Sequence, residues 1–302
     1  MATGNPLPVP SPDSATVVVE PPGEGPGYWV GAPSAALAGD GTYWLAYRLR
    51  RPIGVGRGYA NVVARSRDGE RFETVAVLDR EDFDCDSLER PALVARADGS
   101  WRLYVSCATP GTKHWRVDAL DAADPSLFIP DTARTVLPGD ETVGVKDPVV
   151  KVIDGGWHLW LCCHPLDRPE DTDRMTTHYG TSADGLAWTM HGVALAGTPG
   201  RWDGRGARVA DVVPDGTEWL AYYDGRATKE ANAEEHTGLA RGTSPGRLVA
   251  GPERIGSGSD GQGSLRYVSS LTLPDGGRHL YYETSRRDGA HDLRTEYVPP
   301  SR

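Results

Sequence analysis

The sequence predicts an all-β protein, a single five-bladed β-propeller, and three observations support this fold class. The 302 residues include 37 glycines and 24 prolines, a density that would interrupt nearly every helix. An Asp-Gly dipeptide recurs five times at intervals of 56 to 61 residues, each time before a β-patterned stretch. Propellers repeat units of about four strands around an axis, and five such units fit the length of the chain.

Each Asp-Gly dipeptide is expected to form the turn between the first two strands of a unit, because Asp-Gly between alternating apolar stretches is a strong hairpin signal. A third and a fourth strand should follow in each unit. The predicted first strands are 34–37, 92–95, 149–153, 209–213 and 268–273, and the second strands are 43–47, 101–105, 157–161, 219–223 and 279–282. The predicted third strands are 60–66, 115–120, 178–182, 238–243 and 293–297, and 75–78 is an example of a fourth.

We expect one domain over residues 1–302, because the repeat runs through the whole chain. The last unit ends after its third strand, whereas a further β segment at 16–19 precedes the first unit. This N-terminal strand is therefore expected to close the last blade. A β-sandwich with a similar number of strands would not explain the regular interval. The blades are placed at about 26–80, 85–137, 143–196, 203–255 and 262–298 with 15–20, and loose tails at 1–12 and 299–302.

Charge, hydropathy and cysteine content narrow the class of protein. A net charge of −10 argues against nucleic acid and anionic membrane surfaces as partners. Neither an apolar run long enough to cross a membrane nor a secretory signal is visible. The four cysteines match neither a disulfide framework nor a zinc motif, and the eight histidines lack ligand spacing. We therefore expect a cytoplasmic protein with buried thiols, no metal and no cofactor.

The first residues of the inner strands are the candidates for a functional site. In a propeller they converge at one face of the central channel, together with the loops that follow the second strands. Three of the five opening segments carry proline in the same register, which suits the start of a strand. Counting back from each Asp-Gly turn gives Gly31-Ala32-Pro33, Glu89-Arg90-Pro91, Lys146-Asp147-Pro148, Gly206-Ala207-Arg208 and Arg266-Tyr267.

Ionisable and aromatic side chains occur both in the opening segments of the inner strands and in the loops after the second strands. They predict that a polar ligand binds at this end of the channel, which we call the funnel. Carboxylates and guanidinium groups bind hydroxyls in pairs, and aromatic rings stack on the apolar face of a sugar. The alternative is a structural salt-bridge network that fills the channel, since buried charges require partners. The candidate binding residues are Arg90, Lys146, His164, Arg208, Asp224, Arg226, Arg266, Trp115 and His114.

Several segments resemble the five-bladed propeller glycoside hydrolases, especially family 43 and its relatives in families 32 and 130. They are the Asp-Gly hairpins, Ser-Arg-Asp-Gly-x-x-Phe at 66–72, Ser-Ala-Asp-Gly-Leu-Ala-Trp at 182–188, and Lys146-Asp147-Pro148. The resemblance implies that Asp147 supplies the carboxylate that tunes the acid or stabilises the transition state. The family's base Asp in blade one and acid Glu in blade four have no counterparts, because Ala32 precedes the first proline and Arg208 opens the fourth blade.

Glycosidase chemistry requires two carboxyl groups at a controlled separation. The expected catalytic residues are Glu89, Asp147 and Glu283, with Asp203 and Asp224 as further carboxylates and His164 or His236 as an alternative acid.

Three functions remain open. The first is a divergent glycosidase that acts on a sugar or a glycosylated small molecule. The second is a propeller that binds or modifies a polar small molecule without hydrolysis, for example in natural-product biosynthesis, and the third is a scaffold for a protein partner. The chemistry of the funnel favours the first two. Of these, the glycosidase is preferred, because the resemblance covers nearly the whole chain and Asp147 is in register.

Overall fold

The computed structural model describes residues 7–261 and 263–300, whose regular secondary structure is almost entirely β-strand. The helices are single turns of 3₁₀ type at Pro12–Ser14, Arg80–Phe83, Pro125–Leu127, Pro130–Thr132, Pro169–Asp171 and Glu230–Ala233. The strands, numbered in chain order, are β1 (Thr16–Val19), β2 (Trp29–Leu37), β3 (Tyr43–Arg50), β4 (Gly58–Ser66), β5 (Glu73–Asp79), β6 (Ala92–Ala95), β7 (Trp101–Ala108), β8 (Trp115–Ala122), β9 (Arg134–Leu137), β10 (Val143–Ile153), β11 (Gly156–Pro165), β12 (Thr176–Ser182), β13 (Thr189–Ala196), β14 (Gly206–Asp215), β15 (Glu218–Arg226), β16 (His236–Ser244), β17 (Arg247–Arg254), β18 (Leu265–Thr272), β19 (Arg278–Ser285) and β20 (His291–Val298).

The strands pair in antiparallel groups of four, which we call units I to V. Unit I contains β2 to β5, unit II β6 to β9, unit III β10 to β13, and unit IV β14 to β17. Unit V contains β18 to β20 and is completed by β1, which pairs antiparallel with β20 from Thr16 opposite Thr295. The N-terminal strand therefore lies beside the last strand of the chain, where the sequence predicted it.

The Asp-Gly dipeptides form the turns between the first and second strands, as predicted. In unit III, Asp154 and Gly155 both have positive φ, at 52° and 79°, which is the backbone that a two-residue hairpin turn requires. The glycines of the other four Asp-Gly turns also have positive φ. The recurring Asp-Gly dipeptides therefore mark the same hairpin turn in each of the five units.

Apolar side chains pack between consecutive units. Trp44 of unit I packs against Trp101 of unit II, with ring centroids 5.9 Å apart. Further clusters lie between units II and III, III and IV, and IV and V. Another cluster joins unit V to unit I through Tyr281, Leu293 and Val30, with Val18 of β1 at its edge. Within the described ranges, each unit therefore buries apolar surface against two neighbours.

Hydrogen bonds from aromatic side chains of second strands link neighbouring units. The Tyr104 hydroxyl of β7 donates to the carbonyl of Gly185 at 2.7 Å. Tyr281 of β19 donates to the carbonyl of Gly69 at 2.9 Å. Both acceptors are the glycines of Ser-x-Asp-Gly loops, whose aspartates accept backbone N–H groups of the same loop. These loops therefore also fix the neighbouring unit.

The prediction of a loose tail over residues 1–12 is wrong for the part that the structure describes. Leu7 is buried in the cluster between units IV and V, and the Tyr222 hydroxyl donates to the carbonyl of Pro8 at 2.6 Å. Burial of Leu7 holds this segment although its composition is typical of a tail. Residues 1–6 and 301–302 lie outside the described residues. No helix in the described ranges has the length and apolar character to cross a membrane.

Candidate functional site

A narrow pocket of about 50 Å³ lies where the inner strands of the units converge. Its walls come from the beginnings of inner strands, the ends of second strands and the segment before β16. The lining residues are mostly charged or aromatic, and are Trp29, Arg48, Arg50, Glu89, Lys146, His164, Met175, Arg208, Arg226, Asn232, Glu235, Arg266 and Tyr267. We call this space the central pocket.

Breaks in strand register aim residues at the centre of the molecule. Ala32, Asp147 and Tyr267 have φ of 51°, 52° and 58°, and each lies at a register break in β2, β10 or β18. Bulges of this kind redirect side chains beside functional sites. Pro33 and Pro148 occupy these breaks within β2 and β10 instead of starting the strands, which corrects the sequence-based expectation. A bulge tolerates proline because it lacks a ladder hydrogen bond.

The ring of Tyr267 lies on the wall of the central pocket among guanidinium groups. The Arg208 guanidinium lies 3.8 Å from the ring centroid, and those of Arg48 and Arg266 lie 5.5 Å from it. The backbone N–H of Tyr267 donates to Oδ2 of Asp224 at 3.0 Å. The ring therefore supplies a cation–π surface that holds several arginines close together.

Two carboxylates pair with arginines on one side of the pocket. Glu89 accepts from Arg48 and, at 2.8 Å, from Arg50. Glu283 accepts from Arg48 at 2.9 Å and from Arg266 at 2.6 Å. Oε1 of Glu283 also lies 2.8 Å from Nδ1 of His291. Arg48, near the end of β3, therefore bridges the segment before β6 and the end of β19.

A second group of charges surrounds Arg208. Its guanidinium contacts Oδ2 of Asp147 at 3.3 Å, Oδ2 of Asp224 at 2.9 Å, and Glu235. Glu235 also accepts from Arg226. Arg208 is 2% exposed, so these charges interact with little water between them. Ion pairs in such surroundings are costly to break, because an unpaired buried charge remains.

These arginines keep the pocket carboxylates ionised. Burial acts to raise the pKa of Glu235, but Arg208, Arg226 and Arg266 outweigh it and lower the pKa to about 2. The pKa values of Glu89 and Glu283 are likewise below normal, since neighbouring arginines outweigh burial. Asp224 differs, because burial raises its pKa despite Arg208. The two carboxyl groups that line the pocket, Glu89 and Glu235, are therefore both anionic at neutral pH.

His164 lines the same pocket as a neutral imidazole. Burial lowers its pKa to about 3, and Lys146, Arg226 and Arg208 act in the same direction. Its Nε2 lies 3.6 Å from Sγ of Cys162. A neutral imidazole is too weak an acid to protonate a leaving group at neutral pH, although it can accept a hydrogen bond from a ligand or donate one to it.

Most of the predicted site residues converge on this region. Those that line the central pocket are Glu89, Lys146, His164, Arg208, Arg226 and Arg266. Four more lie buried against these side chains, and are Arg90, Asp147, Asp224 and Glu283. Trp115 is partly exposed and lies beside Lys146, whose Nζ is 5.0 Å from the ring centroid. His114 is partly buried next to Gly144 and is not among the lining residues.

Glu235 is the main pocket residue that the sequence did not single out. It follows the 3₁₀ turn Glu230–Ala233 and directly precedes β16, with 1% of its surface exposed. The signal was its position shortly before a third strand, three residues ahead of the start predicted at 238. Trp29, Met175 and Asn232 were missed as well, since they carry no charge pattern. Among the described residues, no group of His, Cys, Asp or Glu is arranged to hold a metal ion.

No family model and no curated protein matches the sequence. Solved structures do match in fold. A glycosyl hydrolase from Bacteroides ovatus aligns over 100% of this chain and 93% of its own, with 14% identity and a TM-score of 0.64. A thermostable family-43 glycoside hydrolase aligns over 93% of this chain and 91% of its own, with 14% identity and a TM-score of 0.68.

A third similar structure is an N-acetylgalactosamine deacetylase from F. plautii in complex with blood group B trisaccharide. It aligns over 98% of this chain and 94% of its own, with 14% identity and a TM-score of 0.67. The sequence-based resemblance is thus matched by the fold. This chain has the all-β propeller fold of glycoside hydrolases related to family 43.

Proposed function

We propose that this propeller binds a carbohydrate at the central pocket and that each of units I to V is one blade. The pairing of strands into five groups of four supports the blade count. The packing of each unit against two neighbours supports it as well.

The observation that carries the function is the lining of the central pocket. Arginine forks, carboxylates and aromatic rings meet there at the mouth of the inner strands. These groups suit a ligand rich in hydroxyls, since charged groups bind hydroxyls strongly and rings cover apolar sugar faces. The solved structures of similar fold include glycoside hydrolases and a deacetylase that acts on an amino sugar.

Binding without hydrolysis is the version that the charges favour. A glycosidase needs one carboxyl group that holds a proton and a second that is ionised. Both carboxylates that line the pocket, Glu89 and Glu235, have pKa values lowered by arginines. They therefore serve as acceptors for ligand hydroxyls.

Hydrolysis is the second candidate and is favoured by the likeness in fold to glycoside hydrolases. In that version Glu89, Asp147 and Glu283 are the catalytic residues, as the sequence suggested, and Glu235 joins them. The resemblance in sequence implies that Asp147 is the acid-tuning carboxylate, and its Oδ2 lies 3.3 Å from Arg208. Ligand entry would have to displace an arginine so that one carboxyl group could take up a proton.

One set of assays distinguishes binding without hydrolysis from hydrolysis. The purified protein is heated with neutral and acidic sugars, and its Tm is recorded, while aryl glycosides report turnover. If the protein binds sugar without hydrolysing it, its Tm should rise with one class of sugar and no aryl group should be released. Turnover that is lost in Glu89→Gln and Asp147→Asn but kept in Glu73→Gln, on an exposed part of β5, would establish hydrolysis instead. Neither a Tm shift nor turnover with any sugar would refute both.

We also propose that the protein resides in a reducing compartment such as the cytoplasm. The four cysteines are free and buried, which suits thiols that are never oxidised.

A further inference from the structure

The central pocket holds more positive than negative charge. Six cationic side chains and two carboxylates line it. When the buried Arg90, Asp147, Asp224 and Glu283 behind the lining are included, seven cationic groups face five carboxylates. His164 adds no charge, because burial lowers its pKa to about 3. The whole chain carries a net charge of −10, so the excess of positive charge is local to the site.

Several nitrogens of these cationic groups lack a hydrogen-bond partner. Within the described ranges, Nε of Arg48, Arg50, Arg208 and Arg226 is buried without a hydrogen-bond partner. The Arg226 side chain is 1% exposed and that of Arg208 is 3% exposed. Buried donors without partners are costly. A ligand with several acceptor oxygens would satisfy them.

Lys146 is the most accessible charged group of the set. Its side chain is 17% exposed, and Oδ2 of Asp147 lies 3.9 Å from its Nζ, beyond hydrogen-bond distance. Arg50, at 11% exposed, is the next most accessible of the cationic side chains that line the pocket, and it pairs with Glu89. Burial acts to raise the pKa of Glu89, and Lys146 helps Arg48 to outweigh it and lower that pKa. Arg50 and Lys146 therefore both face Glu89 near the mouth of the pocket.

The size of the pocket limits what can enter it. Pockets that enclose a whole small ligand measure about 300 Å³ or more, whereas this one measures about 50 Å³. A group of three or four heavy atoms fits, and a sugar ring does not. The sugar ring must therefore remain outside the pocket. The partly exposed Trp115 lies beside Lys146, whose Nζ is 5.0 Å from the centroid of the indole ring.

We propose that the carbohydrate is an anionic sugar, whose carboxylate, sulfate or phosphate group enters the central pocket and binds Lys146 and Arg50. This inference rests on the carbohydrate-binding function proposed above. The anion balances the excess positive charge and accepts hydrogen bonds from the unpartnered guanidinium nitrogens. Glu89 repels it only weakly, because Arg48 and Arg50 already neutralise that carboxylate.

The test compares each acidic sugar with its neutral counterpart by calorimetric titration. D-Glucuronate is compared with D-glucose and D-galacturonate with D-galactose, and sulfated and phosphorylated forms of the same sugars are separate arms that identify the anion. We expect the acidic member to bind about tenfold more tightly or better, since a charged hydrogen bond contributes at least this factor. Added salt should reduce the difference.

Variants of the proposed contact residue complete the test. Lys146→Gln should remove most of the preference for the acidic sugar, and Lys146→Arg should retain it. Arg134→Gln is the control, because Arg134 is exposed on β9 and pairs with Asp121. Equal affinity for acidic and neutral sugars, or a preference that survives Lys146→Gln, would overturn the inference and leave the proposed function standing. Binding of no sugar at all would overturn both.

Discussion

The absence of a side chain at Gly31 makes room for a buried charge. A Cβ at this position would lie 2.5 Å from Cβ of Glu283 and would overlap its carboxylate. Glu283 in turn holds Arg48 and Arg266 in place. Glycine is required here for space, since its φ is not in the left-handed region. One missing methyl group therefore allows three charged residues to meet.

We expect Gly31→Ala to lower the free energy of unfolding by about 3 kcal/mol or more, because it displaces Glu283 and breaks buried ion pairs. Gly39→Ala is the control, since a Cβ there would meet nothing within 4 Å. Denaturant unfolding of both variants measures the difference. Equal stability of the two would show that Glu283 is not confined as described.

Glu235 is the acidic partner of Arg226 and one of three for Arg208. Its pKa, lowered from 4.5 to about 2 in the folded chain, makes its contribution dependent on pH. A carboxyl group whose pKa is lowered by folding stabilises the protein fully above its unfolded pKa. That stabilisation is lost as the pH falls through the folded pKa.

We therefore expect Glu235→Gln to destabilise the protein by about 3–5 kcal/mol at neutral pH. The difference from wild type should shrink as the pH falls from 4.5 towards 2, where Glu235 itself takes up a proton. Denaturant unfolding at a series of pH values checks this, with the exposed Glu73→Gln as control. A penalty that stays constant across this range would contradict the assigned partners.

At the scale of elements, the Ser-x-Asp-Gly loops connect neighbouring units. Each loop is held by its own aspartate, as in Asp184, which accepts from the N–H groups of Leu186 and Ala187. The pKa of Asp184 is lowered to about 2, chiefly by these backbone donors. The rigid loop then presents the carbonyl of Gly185 to Tyr104. Local turn chemistry and packing between units thus support each other.

Tyr104→Phe should lower the free energy of unfolding by about 1–3 kcal/mol, because the buried carbonyl of Gly185 loses its donor. Tyr297→Phe is the matched control, since its hydroxyl bonds Asp275 at the surface. Thermal or denaturant unfolding of the two variants gives the comparison. The link between units would be unimportant if both changes had the same small effect.

At the scale of the whole molecule, β1 closes unit V and joins the ends of the chain. Val18 packs against the cluster between units V and I, whereas the neighbouring Val17 is 37% exposed. The strand also covers one edge of β20, which would otherwise offer unpaired backbone groups to other chains. Unit V therefore has its fourth strand only when β1 is in place.

A charge at position 18 tests this closure. Val18→Asp should destabilise the whole protein by about 2 kcal/mol or more, because it places an unpaired charge against an apolar cluster. Val17→Asp, one residue earlier and facing solvent, should change stability by less than about 0.5 kcal/mol. Calorimetry and size-exclusion chromatography report unfolding and association. Equal tolerance of both changes would show that the closing strand contributes little.

The sequence by itself determined the strand repeat, the turns and the strand that closes unit V. These features depend on local chemistry: positive φ at Asp-Gly, alternation of apolar residues, and a constant interval. In units I and III the predicted first strands start several residues after the observed ones. The prolines there lie at bulges within the strands and not at strand ends. Most of the charged pocket residues were also found, since the repeat aligns the beginnings of the inner strands.

Only the tertiary structure decided how those charges pair and what remains unpaired. Arg48 and Glu283 are separated by 235 positions along the chain yet lie 2.9 Å apart, and Glu235 is brought in by a loop. Such contacts depend on where strands converge in space, for which sequence spacing gives no measure. The same convergence leaves the pocket narrow and cationic within a protein of net negative charge. Because the pocket is buried, its excess positive charge must be balanced by groups close to it.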